Sequence, residues 1–143
     1  MPLIDYPISQ AYLPAPVGGA LTPLLQVELI NGAQAAQALG VVDSGSTITV
    51  FSPEFALLLG IEDITSGELQ AIGTQGGTVD CYKFDLEMEV HVGEHAKRFS
   101  CRIGFFAATK PRNILGRDVL FQHYQLGFND PAQVFYLRPQ TEA

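Results

Sequence analysis

The chain has 143 residues, 47% of them apolar, and a formal net charge of −7. This length accommodates one domain with a substantial core but is short for two lobes. Because no cluster of Lys or Arg could supply the phosphate contacts on which nucleic-acid binding depends, the sequence predicts no nucleic-acid partner.

Neither a membrane span nor a signal peptide is predicted, since the chain has no apolar run of about eighteen residues and no basic region followed by an apolar segment. We therefore expect a cytoplasmic location by default and no membrane contact from this chain. The same sequence would also suit a soluble domain of a larger or anchored protein.

Composition predicts an all-β fold. The 14 Gly and nine Pro, with few long helical patterns, favour short strands joined by many turns, with one or two short helices. Two cysteines, Cys81 and Cys101, are too few for a disulfide scaffold or a zinc site. Both lie in strand-like stretches, which predicts reduced thiols packed as small apolar side chains.

The first 23 residues carry five prolines, which predicts an extended N-terminal arm at residues 1–23. Residues 24–137 form the predicted domain, and residues 138–143 form a loose C-terminal tail. Inside the domain, a strand that alternates polar and apolar residues leads into Asn31-Gly32, a strong hairpin signal, and a return strand follows. The Ala/Gln run at 33–38 has helical propensity, but the turn before it and the apolar strand after it favour a strand.

A carboxylate follows that return strand in an unusual setting. Asp43 lies between two β-branched apolar runs, where an ionised side chain is costly unless it is hydrogen-bonded or paired. Ser44 and Ser46 offer hydroxyl groups, and Gly45 lets backbone amides approach the carboxylate closely. We name residues 43–47 the acid loop and interpret it as a loop that holds the Asp43 carboxylate in position for chemistry. The structural alternative is an Asp in a tight turn, bonded by its own Ser neighbours.

Local signals predict the elements that follow the acid loop. In chain order they are a short helix at residues 52–60, a glycine-rich hairpin with strands at 67–72 and 78–84, an antiparallel pair at 86–92 and 98–106, a helix at 117–124, and a final hairpin with strands at 125–128 and 133–137.

Three histidines raise the question of a metal site. His91 and His95 flank a predicted turn at Gly93-Glu94, and with Glu94 they could suggest metal ligands, but strands that enter an exposed turn fan their side chains apart, so no metal is expected. His123 is expected on the outer or packing face of its helix. No cofactor is predicted.

Three motifs follow one another along the chain: the acid loop, the glycine-rich hairpin at residues 72–79, and Ile-Leu-Gly-Arg-Asp at residues 114–118. In this order and spacing the chain resembles the retropepsin-like aspartic proteases, which are retroviral-type enzymes with a single lobe. The resemblance covers roughly residues 24–137. It implies a pepsin/retropepsin-like acid protease fold with one lobe per chain and a flap hairpin.

The resemblance also implies roles for individual residues. Asp43 would be the catalytic acid/base, while Ser44 would brace the loop across a dimer axis. Gly45 would offer its backbone to substrate, and Ser46 would tune the hydrogen bonds of the carboxylate. The flap would comprise Ile72, Gly73, Thr74, Gln75, Gly76 and Gly77. The residues that support the site from beneath would be Ile114, Leu115, Gly116 and Arg117.

The chain departs from the retroviral pattern in two places. Retroviral enzymes often have an acid shortly after the catalytic loop that pairs with the Arg of the Gly-Arg segment, but Thr47 and Ile48 occupy those positions here. We therefore expect Arg117 to use another partner, either Asp118 or a neighbouring loop. The flap tip is also more polar than the retroviral one, which leaves the substrate preference open.

Peptide hydrolysis by carboxylates needs two of them, and the chain supplies one suitable Asp. In the retroviral type two identical chains each give one, so the resemblance predicts a homodimer that hydrolyses a peptide or protein substrate. Terminal strands interleave in the viral dimers, and residues 3–8 and 134–137 would be their counterparts. The alternative is a catalytically inactive retropepsin-like module for dimerisation or peptide binding. The intact Asp-Ser-Gly argues against it, because a scaffold has no reason to keep a costly acid there.

Overall fold

In a computed structural model, which describes residues 5–74, 76–110 and 112–141, most of the chain is β-strand. The strands of these residues are β1 (Ile8–Ala11), β2 (Leu13–Pro14), β3 (Leu21–Thr22), β4 (Leu24–Asn31), β5 (Gln34–Val42), β6 (Val50–Phe51), β7 (Glu68–Thr74), β8 (Gly77–Val92), β9 (His95–Phe106), β10 (Asn113–Leu115), β11 (Tyr124–Asn129) and β12 (Val134–Pro139). The helical elements are α1 (Pro53–Leu58), α2 (Leu120–His123) and a 3-10 turn (Ile64–Ser66). The all-β class predicted from composition is confirmed.

Six strands close into a barrel. Their hydrogen-bonded order is β4-β5-β10-β6-β9-β8, and β8 pairs again with β4, which completes the ring. Strand β7 lies outside this ring and pairs with the first part of β8. The β7–β8 hairpin therefore projects from one end of the barrel.

Strand β8 is longer than the sequence predicts. Separate strands are expected at residues 78–84 and 86–92, whereas β8 is one strand of 16 residues. Asp85, which separates the two predicted strands, stays in register opposite Arg102 and accepts a 3.2 Å hydrogen bond from its guanidinium group. Because this polar residue lies on the solvent face, it does not interrupt the strand.

The barrel interior forms the main core. Strand β4 buries Leu25, Val27 and Leu29 completely, and β8 does the same with Met88 and Val90. The alternation arises because successive side chains of a strand point to opposite faces of the sheet. Each such side chain contributes about 1.5–3 kcal/mol through burial.

The Ala/Gln run lies in β5, as the sequence predicts. Gly32 adopts a positive φ of 60° in the turn between β4 and β5. The turn sets the register that places Ala35 opposite Ile30, and it leaves Ala36 and Ala38 buried against the core. Cross-strand pairing and burial thus outweigh the helical propensity of these residues.

The chain ends form a second sheet with the order β1-β12-β11. Strand β1 belongs to the predicted N-terminal arm, and within this single chain it pairs with β12, with Ile8 opposite Leu137. Tyr12 follows β1 and donates a 2.6 Å hydrogen bond from its hydroxyl to Asp130. This hydrogen bond and burial raise the pKa of Tyr12 to about 12. Residues 1–4 lie outside the described residues.

The C-terminal strand extends beyond the predicted boundary at residue 137. Strand β12 continues to Pro139, and the amide of Gln140 donates to the carbonyl of His123 at 2.9 Å. The start of the predicted tail is therefore held in the sheet, and residues 142–143 lie outside the described residues.

The two helices are shorter than predicted. Helix α1 begins at Pro53 as expected, but Ser52 does not cap it, because its hydroxyl donates to the Lys110 carbonyl at 2.7 Å. The helix predicted at residues 117–124 is reduced to the four residues of α2. The residues before α2 are engaged with the acid loop, as described below, and Val119 has a non-helical backbone. Among the described residues no helix is long and apolar enough to cross a membrane.

Candidate active site

The acid loop is held by strand β10 and by the residues that follow this strand. This strand lies between β5 and β6, parallel to β5 and antiparallel to β6. The amide of Asp43 donates to the Leu115 carbonyl at 3.1 Å, and the amide of Arg117 donates to the Ser46 carbonyl at 2.9 Å. The loop is therefore fixed against the segment that the sequence predicts beneath it.

The Asp43 carboxylate is set in a tight turn just beyond the end of β5. Its Oδ1 accepts a 2.9 Å hydrogen bond from the Gly45 amide. The backbone carbonyl of Asp43 accepts a 3.2 Å hydrogen bond from the Ser46 amide. Asp43 itself is half-buried, while Ser44 and Gly45 are exposed. Strand β5 ends at Val42, so the carboxylate lies in the turn that follows the strand.

Ser46 bonds the loop rather than the carboxylate. Its hydroxyl donates to the Ile48 carbonyl at 2.8 Å and accepts from the Ile48 amide at 3.3 Å. The tuning role inferred for this serine is not visible as a direct bond to Asp43 within the described residues. Its hydroxyl stabilises the return of the chain towards β6.

A buried threonine, which sequence reasoning missed, links the loop to the segment after β10. Thr49 is 0% exposed, and its hydroxyl donates to Asp118 Oδ1 at 2.7 Å and accepts from the Gly116 amide at 3.1 Å. The other Asp118 oxygen lies 4.0 Å from the Lys83 ammonium of β8. The sequence signal that could have identified Thr49 is its position within an apolar run. A hydroxyl group buried there must find a hydrogen-bond partner.

Asp118, one of the two partners expected for Arg117, is engaged by other residues. Asp118 contacts Thr49 and Lys83, while Arg117 is exposed and its guanidinium makes no ion pair with the described residues. The sequence cannot show this, because Thr49 and Asp118 are 69 residues apart along the chain.

Gly116 occupies a position where no side chain fits. A Cβ added here would overlap the Ile48 carbonyl oxygen and lie 2.6 Å from the Ile48 carbonyl carbon and 2.9 Å from the Ser46 oxygen. Both neighbours are backbone atoms of the chain that returns from the acid loop. Next to it, Leu115 is fully buried, and Ile114 pairs with Val41 and with β6.

The predicted flap is the β7–β8 hairpin. At its tip Thr74 is opposite Gly77, and the Thr74 hydroxyl donates to the Gly77 carbonyl at 2.8 Å. Gly73 and Gly76 have no atoms close to where a Cβ would lie. Gln75, also predicted in the flap, lies outside the described residues.

Residues near the tip of this hairpin pack against an apolar cluster beside the acid loop. Ile72 of β7 and Val79 of β8 contact a small apolar cluster that includes Ile48, and Ile114 packs against the same cluster. The structure therefore brings together the three motifs that are separated along the sequence.

The remaining reactive side chains lie in other environments. Burial raises the pKa of the Cys81 thiol, and burial also raises that of Cys101 to about 12, so both thiols stay protonated at neutral pH. Both cysteines are free.

The histidines near the β8–β9 turn are engaged separately. His91 Nε2 lies 2.7 Å from Glu89 Oε1 but without hydrogen-bond geometry, and His95 Nε2 lies 2.8 Å from the Tyr124 hydroxyl. Burial and the nearby Lys97 lower the pKa of His95. Across residues 5–74, 76–110 and 112–141, no group of three or more His, Cys, Asp or Glu side chains is placed to hold a metal.

No family model and no curated protein matches the sequence. Solved structures do match. A retropepsin-like aspartic protease from Rickettsia conorii superposes with a TM-score of 0.59 at 16% identity, over 96% of this chain and 96% of that one. The EIAV protease bound to an inhibitor superposes with a TM-score of 0.51 at 19% identity, over 71% of this chain and 86% of that one. The chain therefore has a retropepsin-like fold, as its three motifs predict.

Proposed function

We propose that the protein is an aspartic endopeptidase in which Asp43 is the catalytic carboxylate. The observation that carries this proposal is the position of Asp43: its carboxylate is half-buried at the end of β5, in a loop fixed by Leu115 and Gly45. A carboxylate held by backbone groups is pre-organised for proton transfer. The fold shared with proteins that are named aspartic proteases adds to this support.

The chemistry requires a second carboxylate. One carboxylate accepts a proton from water as the water oxygen attacks the carbonyl carbon, and a second, protonated carboxyl group donates a hydrogen bond to the carbonyl oxygen. The proton then passes to the leaving amine as the C–N bond breaks. Two carboxylates that share a water cannot both ionise, so the pair holds one proton between them.

A second copy of the chain would supply the missing group. In the proposed homodimer the two acid loops meet on a two-fold axis and each contributes Asp43. Ser44 is exposed next to Asp43, which leaves its hydroxyl available to brace the loop of the other protomer. The exposed surface of the loop is consistent with burial in such an interface.

The β7–β8 hairpin would close over an extended peptide. Strand β7 is at the edge of its sheet, so its outer backbone groups are available to pair with a substrate strand. Closure of such a hairpin excludes water and positions the scissile bond. The substrate class we propose is therefore a peptide or protein segment in extended conformation.

Cleavage of a diverse peptide mixture, followed by mass spectrometry from acid to neutral pH, tests the proposal. Wild type is expected to cut, whereas Asp43→Asn is expected to lose cleavage and keep the dimer, because the amide cannot accept the proton from water. Asp85→Asn is the matched control, since it removes a carboxylate whose side chain is 80% exposed on the barrel surface.

Three outcomes would contradict the proposal. Cleavage retained by Asp43→Asn would show that another group carries the chemistry. A wild type that is monomeric by light scattering at micromolar concentration and still cleaves would remove the need for a second Asp43. If wild type and Asp43→Asn are both dimers and neither cuts, the inactive peptide-binding module replaces the endopeptidase as the better assignment.

A further inference from the structure

The cationic side chains of this acidic chain are unevenly engaged. Five of the eight have a partner: Lys83 with Asp118, Arg98 with Glu87, Arg102 with Glu68 and Asp85, Lys97 with Tyr124, and Arg138 with the Asp5 carbonyl. The other three are Lys110, Arg112 and Arg117, which are exposed and whose side chains have no partner among the described residues. All three belong to one short segment of the chain.

That segment surrounds strand β10, which holds the acid loop. Lys110 and Arg112 precede the strand, and Arg117 follows it. The carboxylate of Glu54 lies near this segment, where it accepts a 3.3 Å hydrogen bond from the Thr109 hydroxyl. It is not the partner of any of the three cationic side chains. A chain with a net charge of −7 therefore places its three unpartnered cationic side chains on the residues that flank β10, the strand that holds the acid loop.

Arg112 is the member of this group that shares a surface with the strand leading to Asp43. Asn113 pairs with Gly40 and Ile114 with Val41 in parallel register, and extending that register by one residue sets Arg112 opposite Leu39. Leu39, Val41 and Arg112 line one small cavity of about 40 Å³. Arg112 therefore lines the same small cavity as two apolar residues of the strand that leads to Asp43.

We infer that the protein selects acidic peptides, and that Arg112 binds an Asp or Glu side chain of the substrate. This inference rests on the proposed function. Arg112 is level with Leu39, four residues before Asp43, which corresponds to about 13 Å along a strand. An extended substrate covers that distance in about four residues, so the acidic side chain is expected within four positions of the cleaved bond.

The chemistry of the side chains favours an acidic ligand over a basic or neutral one. A guanidinium group offers a planar set of donors that matches a carboxylate, and it has no carboxylate partner within the described part of the chain. Lys110 and Arg117 extend the positive field on both sides of β10. Without them, the overall negative charge would repel an acidic peptide.

Short peptides with a common frame of Leu, Phe and Ala, carrying one Glu or one Gln at each position in turn, test this inference. We expect wild type to cleave the best Glu peptide with a kcat/KM about three- to tenfold higher than its Gln counterpart. Arg112→Gln should bring this ratio close to one, and Arg112→Glu should invert it. Arg98→Gln, with the same change in net charge on the barrel surface, should keep the wild-type ratio.

The outcomes separate this inference from the proposed function. Equal cleavage of Glu and Gln peptides by wild type, or an unchanged ratio in Arg112→Gln, overturns the acidic selectivity and leaves the endopeptidase intact. If no peptide is cut, the selectivity is measured as binding of fluorescein-labelled Glu and Gln peptides to Asp43→Asn. Tighter binding of Glu peptides that depends on Arg112 supports the inference, and equal affinities overturn it.

Discussion

Replacing Gly116 by alanine tests how the acid loop is held. The added Cβ would lie 2.6 Å from the Ile48 carbonyl carbon, about 0.8 Å closer than the 3.4 Å of an ordinary contact, and it would overlap the Ile48 oxygen. The obstructing atoms are backbone, so they cannot rotate away as a side chain would. The chain must shift at the point where two hydrogen bonds join the loop to β10.

The expected loss of stability follows from these contacts. Overpacking costs about 1–3 kcal/mol. The displaced backbone would also weaken the bonds from the Gly116 amide to Thr49 and from the Arg117 amide to Ser46, at about 1 kcal/mol each. We therefore expect Gly116→Ala to lower the free energy of unfolding by about 3–5 kcal/mol, a large part of the 5–15 kcal/mol typical of a domain.

Urea denaturation followed by circular dichroism measures this loss, provided that the transition keeps its slope. Gly73→Ala is the matched control, because no atom lies within 4 Å of its Cβ position and its φ is not left-handed. We expect the control to change stability by less than about 0.5 kcal/mol. A Gly116→Ala protein within about 1 kcal/mol of wild type would refute the reasoning, since a contact with rigid backbone cannot be so mild.

Two further substitutions test buried hydroxyl groups. Thr49→Val should destabilise the protein by about 2–4 kcal/mol in the same assay, because Asp118 and the Gly116 amide both lose a hydrogen-bond partner. Thr49→Ser keeps the hydroxyl and should restore most of the loss. A valine variant as stable as wild type would contradict this prediction. Tyr12→Phe removes the bond to Asp130 and should cost about 1 kcal/mol near neutrality. Because the pKa of Tyr12 is raised from 10.0 to about 12, its stabilising contribution is complete below pH 10 and lost as pH rises towards 12. The difference between wild type and Tyr12→Phe should therefore shrink over that interval, and a difference that grows would contradict the assignment.

Local signals in the sequence were sufficient to predict most of the strands. The dipeptide Asn31-Gly32 predicted the first hairpin, and the alternation of polar and apolar residues predicted β4 and the antiparallel pair β8–β9. The Ala/Gln run in β5 shows the limit of propensity, because its strand conformation is set by neighbours on both sides. The same kind of local signal was wrong before α2. The spacing of apolar residues predicted a helix from residue 117, but the Arg117 amide is hydrogen-bonded to the acid loop and the helix begins only at Leu120.

The sequence by itself determined the all-β class, the order of the three motifs and the tight turn at Asp43, because each depends on residues that are neighbours along the chain. Only the tertiary structure decided which residues support that turn. Asp118 was one of two partners expected for Arg117, the other being a neighbouring loop, yet it bonds Thr49, 69 residues away, and Tyr12 bonds Asp130 across 118 residues. Such partners are chosen by closure of the barrel and of the terminal sheet, since a buried hydroxyl takes whichever group the fold brings within reach.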